Sequence, residues 1–342
     1  MKIYFLVDAT DEIGSGHFYR CLALAQFLRE KVSEIIFIGN ISNPQLVRTL
    51  KEFKYNFVPY FESSQSKSRI DTILEISQKM EHTILIIDNI NVTEDEEEYL
   101  VGLFDKVISI VDRPAREHHS QILISPSFHI DSPIKLESYA GPNCKLLLGP
   151  TYLPLSPLYK RFENFQIETD EVRRVTSFFG SSDPGNQSQE IIAIAKMKKF
   201  QTINFHIILG SANNSFDNPR IKSESTSNLK ISNHCDNIAE VWSRTDIAFG
   251  SYGVSAIERC YLGIPTITSI QNLDQIDDAK FLISKNAVLD IGKTPLAFDD
   301  YYYAFEKLLH NSELRSNISA NSKRIMERNG IDSEALKSLI LQ

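Results

Sequence analysis

Apolar residues fall into two alternating rhythms along this chain. Short continuous runs, such as Ile3-Tyr4-Phe5-Leu6-Val7 and Ile84-Leu85-Ile86-Ile87, predict strands buried on both faces. Between them lie longer stretches with apolar positions at helical spacing, such as Cys21, Leu22, Leu24, Ala25, Phe27 and Leu28. In the first half the pattern predicts strands over 2–8, 35–39, 84–88, 107–112 and 122–124. Helices are predicted over 16–30, 44–53, 71–79 and 93–104, the last with Thr93 as N-cap and acids in its first turn.

The rhythm breaks between Pro150 and Glu171, where prolines and aromatics (Tyr152, Pro154, Pro157, Tyr159) give way to polar residues. It then restarts. Strands are predicted over 175–179, 205–210, 247–249 and 266–270. Helices are predicted from the Gly180–Asp183 turn through Met197, and over 237–243, 255–262, 275–285, 298–310 and 312–328. Gly263 and Pro265 supply the stop after Leu262. Strand and helix alternating twice over predict an α/β chain of two Rossmann-like domains with parallel sheets. The expected division is 1–155, a linker over 156–171, and 172–342.

Composition supports two ordinary globular domains. The chain has 342 residues, 42% hydrophobic and 23% charged, more than one core usually serves. A net charge of -8 without a long basic run argues against nucleic acid as a partner. It does not argue against an anionic ligand, which helix N-termini can hold. Cys21, Cys144, Cys235 and Cys260 show no zinc-type spacing and read as reduced, mostly buried thiols of a cytoplasmic protein. The run Ile3–Val7 is too short for a signal peptide, and no stretch approaches the apolar length of a membrane helix.

Three loops carry candidate chemistry. In Ile13-Gly14-Ser15-Gly16-His17-Phe18-Tyr19-Arg20, glycines lead from strand into helix. His17 suits general acid–base work, and Arg20 lies about one turn on. A glycine turn with a surface histidine as cap fits the spacing equally well. In Gly250-Ser251-Tyr252-Gly253-Val254-Ser255, backbone amides could cradle a diphosphate and Glu258 could accept ribose hydroxyls. The structural alternative makes Ser255 an N-cap and Glu258 its capping-box partner. In Phe179-Gly180-Ser181-Ser182-Asp183-Pro184, hydroxyls and turn amides could face a ligand, while Asp183 reads as a cap with Pro184 at the first helical position. Asp88 and Asp112 end predicted strands and could be site residues or helix caps. His118 and His119 read as surface residues, and His82, His129, His206, His234 and His310 receive no role.

Together these loops resemble the UDP-sugar hydrolases of pseudaminic acid biosynthesis and the related spore-coat polysaccharide proteins, within the two-Rossmann (GT-B) glycosyltransferase superfamily. The matching residues are Asp8, Ile13–His17 with Arg20, Ile86-Ile87-Asp88, Leu148-Gly149-Pro150 with Tyr152, and Phe179–Asp183. They continue through Asp246–Gly253 with Glu258, Gly263, Pro265 and Gln275. The resemblance implies a crevice between the domains, with the diphosphate on the 251–255 turn and the ribose on Glu258. It implies that His17, with Asp88, helps water attack the anomeric carbon. Gly14, Ser15, Gly16, Arg20, Asn89, Gly180, Ser181, Ser182, Gly210, Ser251, Tyr252, Gly253, Val254, Ser255, Asp274 and Gln275 are the implied substrate contacts. No metal or other cofactor is implied.

The sequence also departs from that family's pattern. Asn89-Ile90-Asn91 stands where a tyrosine usually follows the acid by two residues, and Asp274-Gln275 replaces an Asn-Gln pair. Val111-Asp112 stands for paired aspartates, and Gly180-Ser181 for a Gly-Gly turn. Three functions follow as expectations. The first is hydrolysis of a UDP-linked deoxy-diacetamido sugar for nonulosonic acid or surface polysaccharide synthesis. The second is transfer of the sugar to an acceptor hydroxyl, and the third is nucleotide-sugar binding without catalysis. The chain is expected to act as a monomer alongside enzymes of its pathway, with a UDP-sugar as its partner.

Overall fold

The first strand shows how the apolar runs fold. In the computed structural model, Ile3, Phe5 and Val7 join one hydrophobic core while Tyr4 and Leu6 join another. A strand that feeds two cores needs no polar face, which is why the run is continuous. The structure describes residues 1–10, 12–60, 68–77, 82–114, 116–128, 137–152, 154–162, 171–180, 183–210, 213, 226–233, 235, 237–327 and 333–342.

The chain divides into two compact units, Met1–Pro157 with Gly330–Gln342, and Leu158–Asn329. Unit 1 runs β1 (Lys2–Val7), α1 (Gly16–Leu28), β2 (Glu34–Gly39), α2 (Pro44–Glu52), β3 (Asn56–Pro59), α3 (Arg69–Ser77) and β4 (Thr83–Asp88). It continues α4 (Glu94–Val101), β5 (Lys106–Ile110), β6 (Ile122–Ser125) and β7 (Lys145–Leu148). The strands form one parallel sheet in the order β3-β2-β1-β4-β5-β6-β7. Val7 pairs with Asp88, so the ends of β1 and β4 stand side by side. Phe18, Cys21, Leu24, Ala25 and Leu28 of α1 and Leu46 and Leu50 of α2 cover one face. Ile73 of α3, Leu100 of α4 and Phe104 cover the other. Thr93 caps α4 in a capping box with Glu96, as expected.

Unit 2 runs β8 (Arg174–Phe178), α5 (Ser188–Ala195), β9 (Asn204–Ile208), β10 (Leu229–Ser232), α6 (Ile238–Trp242) and β11 (Ile247–Ser251). It continues α7 (Val254–Leu262), β12 (Thr266–Ile270), α8 (Ile276–Ser284), β13 (Leu289–Lys293), α9 (Phe298–Leu309) and α10 (Ser312–Glu327). Its sheet is also parallel, in the order β10-β9-β8-β11-β12-β13. Phe249 and Phe205 meet Phe305 of α9 at ring-centroid distances of 5.6 and 5.8 Å. Gly263 adopts φ 71° and ends α7, as its position after Leu262 predicts.

A final helix, α11 (Ser333–Leu341), belongs to unit 1 rather than to the 172–342 domain expected from sequence. Leu336 and Ile340 complete the core beneath α1, and Lys106 Nζ donates to the carbonyls of Leu339 and Ile340 at 3.0 and 3.3 Å. The expected linker is also partly structural. Pro157–Phe162 forms a 3₁₀ turn whose Tyr159 is buried edge-on against Tyr261, within unit 2. No helix among the described residues is long and apolar enough to cross a membrane.

Gly39 ends β2 against the backbone of β1. A Cβ there would lie 1.8 Å from the Val7 carbonyl oxygen, which no rotamer change can relieve. Gly39→Ala is expected to lower unfolding stability by about 2–4 kcal/mol, read from urea denaturation followed by circular dichroism. An unchanged midpoint would mean that β1 and β2 can separate freely at this point.

Candidate functional site

In unit 1 the site is built around a carboxylate. Asp88 ends β4 and is only 1% exposed. Arg20, one turn into α1, grips it with two donors, Nε to Oδ2 at 2.5 Å and Nη2 to Oδ1 at 2.6 Å. His17 Nδ1 lies 2.7 Å from Oδ1, and the Cys21 thiol donates to Oδ2 at 3.4 Å. Arg20 Nη1 reaches on to Asp112 Oδ1 at 2.5 Å. Burial alone would raise the Asp88 pKa, but the charges of Arg20 and His17 overcome it and hold the carboxyl well below the usual range. Asp88 is therefore ionised and can only accept. In this contact His17 Nδ1 is therefore the donor. Arg20 Nη2 lies 2.9 Å from the same Nδ1 because both groups converge on Oδ1.

The backbone before this cluster is open. Ser15 occupies the N-cap of α1 without a side-chain cap, and a Cβ on Gly16 would meet nothing within 4 Å. Gly14, with φ 80°, donates to the Thr10 carbonyl at 2.7 Å. Beside the cluster stands a second network. Tyr60 is buried and donates to Asp8 Oδ1 at 2.6 Å, while Asn89 Nδ2 donates to the Tyr60 hydroxyl at 3.1 Å. Asn89 Oδ1 accepts from the Asn91 amide at 2.9 Å, which fixes the orientation of the Asn89 side chain.

In unit 2 the turn after β11 leads straight into α7. Gly253 is the N-cap, with φ 105°, no side-chain cap and no atom near a would-be Cβ. Tyr252 turns inward, donating to Asp290 at 2.7 Å and accepting from Thr268 Oγ1 at 2.8 Å. Ser255 lies inside the helix, so the capping-box alternative for Ser255 and Glu258 fails. Glu258 as a residue is half-buried, and burial pushes the pKa of its carboxyl up to about 7 against the influence of Tyr159, Arg259 and Trp242. Gly180 follows β8 with φ 99°. Ser181 and Ser182 lie outside the described residues. Among the described residues, no group of three or more His, Cys, Asp or Glu side chains is placed to hold a metal ion.

No family model matches the chain. It is 27% identical to the uncharacterized protein MJ1062 of Methanocaldococcus jannaschii over 282 residues, 80% of this chain and 56% of that protein. It thus spans little more than half the length of that relative. Solved structures match almost end to end. MurG of Acinetobacter baumannii matches with a TM-score of 0.62 and 13% identity, covering 99% of each chain. UGT89C1 of Arabidopsis thaliana, solved with UDP, gives 0.65 and 13% over 99% of this chain and 98% of that one. HepE of Anabaena, solved with UDP, gives 0.59 and 12% over 99% and 98%. The chain has the GT-B fold.

Each half of a GT-B chain is an open parallel sheet, and such sheets take ligands where the strand order reverses. Here the reversals lie between β1 and β4 and between β8 and β11. Gly14, Ser15, Gly16, His17, Arg20, Asp88 and Asn89 gather at the first. Gly180, Ser251, Tyr252, Gly253, Val254, Ser255 and Glu258 follow the strands of the second. Gly210 follows β9, and Asp274 and Gln275 follow β12, one strand to either side. Asp274 is exposed, and Gln275 Oε1 accepts from the Gln271 amide at 2.9 Å.

Several local expectations change. α5 begins at Ser188 with Gln187 at its N-cap, so neither Asp183 nor Pro184 holds the expected cap or first helical position, although Asp183 accepts from the amides of Gln187 and Ser188 at 3.0 Å each. His118 is not a surface residue. It is buried with Nδ1 2.8 Å from Glu97 Oε2, and Arg116 donates to the same oxygen at 2.7 Å. The helix-cap alternative does not apply to Asp88, whose carboxylate is taken up by Arg20 and His17. Tyr60, Gln271, Trp242 and Arg259 carry no motif, and only their tertiary contacts reveal them.

Removing the Asp88 charge strands a buried guanidinium. Asp88→Asn is expected to cost about 3–5 kcal/mol at neutral pH. The folded pKa lies below the unfolded one, so this stabilisation is present above about pH 4 and fades as pH falls below it. Urea midpoints of wild type and variant should therefore converge in acid, and a constant gap down to pH 3 would contradict the ionised assignment.

Proposed function

We propose that this chain is a nucleotide-sugar enzyme that passes the sugar of a UDP-sugar donor to an acceptor hydroxyl. Unit 2 takes the nucleotide, with the diphosphate on the amides of Ser251–Ser255 and the ribose on Glu258. Gly180, Gly210, Asp274 and Gln275 stand on the neighbouring loops. Unit 1 supplies the reactive group, with Gly14, Ser15, Gly16, Arg20 and Asn89 around the sugar or acceptor.

The observation that carries this reading is the His17–Asp88–Arg20 cluster. Asp88 holds the imidazole by Nδ1, as an orienting carboxylate holds a general base. Nε2 accepts the proton of the attacking hydroxyl while its oxygen bonds to the anomeric carbon and UDP departs with the electrons of the old bond. Positive helix ends and free amides favour the growing charge on the diphosphate. The UDP bound to HepE and UGT89C1, and the UDP-glucose bound to HepE, support UDP-sugar as the donor class.

Hydrolysis is the same chemistry with water as nucleophile. The Gly14–His17 loop together with Asp88 favours it, since these residues carry the resemblance to UDP-sugar hydrolases. UDP release from candidate UDP-sugars separates the two. Release that waits for an added acceptor supports transfer, and fast release without one supports hydrolysis.

His17→Ala is expected to lower turnover by roughly 10²–10⁴-fold, the usual share of a general base, with UDP affinity nearly intact. Retained turnover would remove His17 from the mechanism. Glu258→Ala is expected to weaken UDP binding by about 1–3 kcal/mol, read by calorimetry.

A further inference from the structure

A charge inside protein is normally paired, because an unpaired one has lost its water and gained nothing in return. Arg259 of α7 is an exception. It is 1% exposed. Its Nε and Nη1 have no hydrogen-bond partner, and Nη2 donates to a neutral group, the Ser251 carbonyl, at 2.5 Å. Among the described residues no carboxylate forms an ion pair with it. Glu258 precedes it in the chain, but consecutive residues on a helix do not face each other. Burial lowers its pKa to about 10, which still leaves it charged at neutral pH.

The guanidinium packs against the backbone that leads from β11 into α7. A Cβ on Gly250 would stand 2.6 Å from Nη1 and 2.9 Å from Nη2, so the glycine makes room for it. The Trp242 ring covers it, with its centroid 5.6 Å from Cζ. The bond to Ser251 draws that carbonyl inward. In a trans peptide the carbonyl and the following N–H point to opposite sides, so the Tyr252 amide is directed away from Arg259. The Tyr252 side chain is held from inside as well, by Asp290 at 2.7 Å and Thr268 at 2.8 Å. Gly253, with no side-chain cap, and the first amides of α7, which no helical carbonyl reaches, continue the same surface.

We propose that Arg259 is a positioning residue for the diphosphate of the nucleotide, and that its charge is the buried counter-charge to those phosphates. This rests on the reading of the Ser251–Ser255 amides as the diphosphate seat. Arg259 does not touch the ligand. It fixes the Ser251–Tyr252 peptide so that the amide faces outward, and its own charge stands behind that peptide. A diphosphate on the outer side supplies the negative charge that the protein withholds, across a layer of low dielectric. The dipole of α7 acts in the same direction. A nucleoside without phosphates gains from neither.

The test is the calorimetric affinity of the full chain for UDP and for uridine at neutral pH. Trp242, the only tryptophan of the chain and fully buried, reports through its emission maximum whether each variant keeps its core. Wild type should bind UDP roughly 10–100-fold more tightly than uridine, the scale of a few hydrogen bonds to a charged group. In Arg259→Met the UDP affinity should fall by most of that factor while uridine affinity stays at the wild-type value. Arg259→Lys, which keeps the charge and loses the planar fork, should fall between the two. Gly250→Ala, which pushes the guanidinium off its place, should behave like Arg259→Met. A folded Arg259→Met with the wild-type preference for UDP, or with equal losses for both ligands, overturns the assignment. If Arg259→Met does not fold, Gly250→Ala decides on the same readout. Equal wild-type affinity for UDP and uridine overturns the assignment without any variant. Failure of wild type to bind either ligand overturns the nucleotide reading itself.

Discussion

A carboxylate at the end of a buried strand has to be matched, and in this chain the matching of Asp88 organises the first site. The charge lies inside protein, where an unpaired ion is intolerable. Arg20 answers it with a two-point grip and extends to Asp112, so α1, β4 and the end of β5 are tied through one guanidinium. His17 sits on the same helix three residues earlier and inherits its orientation from that grip. The loop from Gly14 to Gly16 can stay open and uncapped because the helix is anchored one turn further on.

The second unit meets a similar problem with the opposite outcome. Glu258 also stands near a strand reversal and beside an arginine, yet Arg259 directs its one strong bond to the Ser251 carbonyl. The acid is left near neutrality, whereas Asp88 is held fully ionised. An orienting group for a base needs permanent charge, and a group that binds neutral hydroxyls needs only lone pairs.

The central strands and most helices were legible in the sequence because burial on both faces leaves continuous apolar runs. Four strands were not, namely β3, β7, β10 and β13, and all four are sheet edges. Their sequences, such as Leu229-Lys230-Ile231-Ser232 and Leu289-Asp290-Ile291-Gly292-Lys293, mix polar and apolar residues, as half-covered strands do. The helix α11 was also missed, since nothing local says that Leu336 and Ile340 complete a distant core. Within the candidate sites, loop and helix spacing singled out His17, Arg20 and Glu258 but left a structural alternative open for the His17 loop and for Glu258. Whether Asp88 was a cap or a partner, and that Trp242 and Tyr60 matter at all, depended on contacts between residues far apart in sequence.

The return of α11 to the first unit bears on the order in which the chain is made. Leu158–Asn329 is one continuous segment, complete before residues 333–341 are synthesised. The first unit, though begun earlier, waits for Leu336 and Ile340 to close its core. Domains ordinarily finish folding from the N-terminus onward during synthesis. In this protein the second unit needs nothing beyond Asn329, whereas the core of the unit carrying His17 is closed by residues that the whole second unit separates from the rest of it.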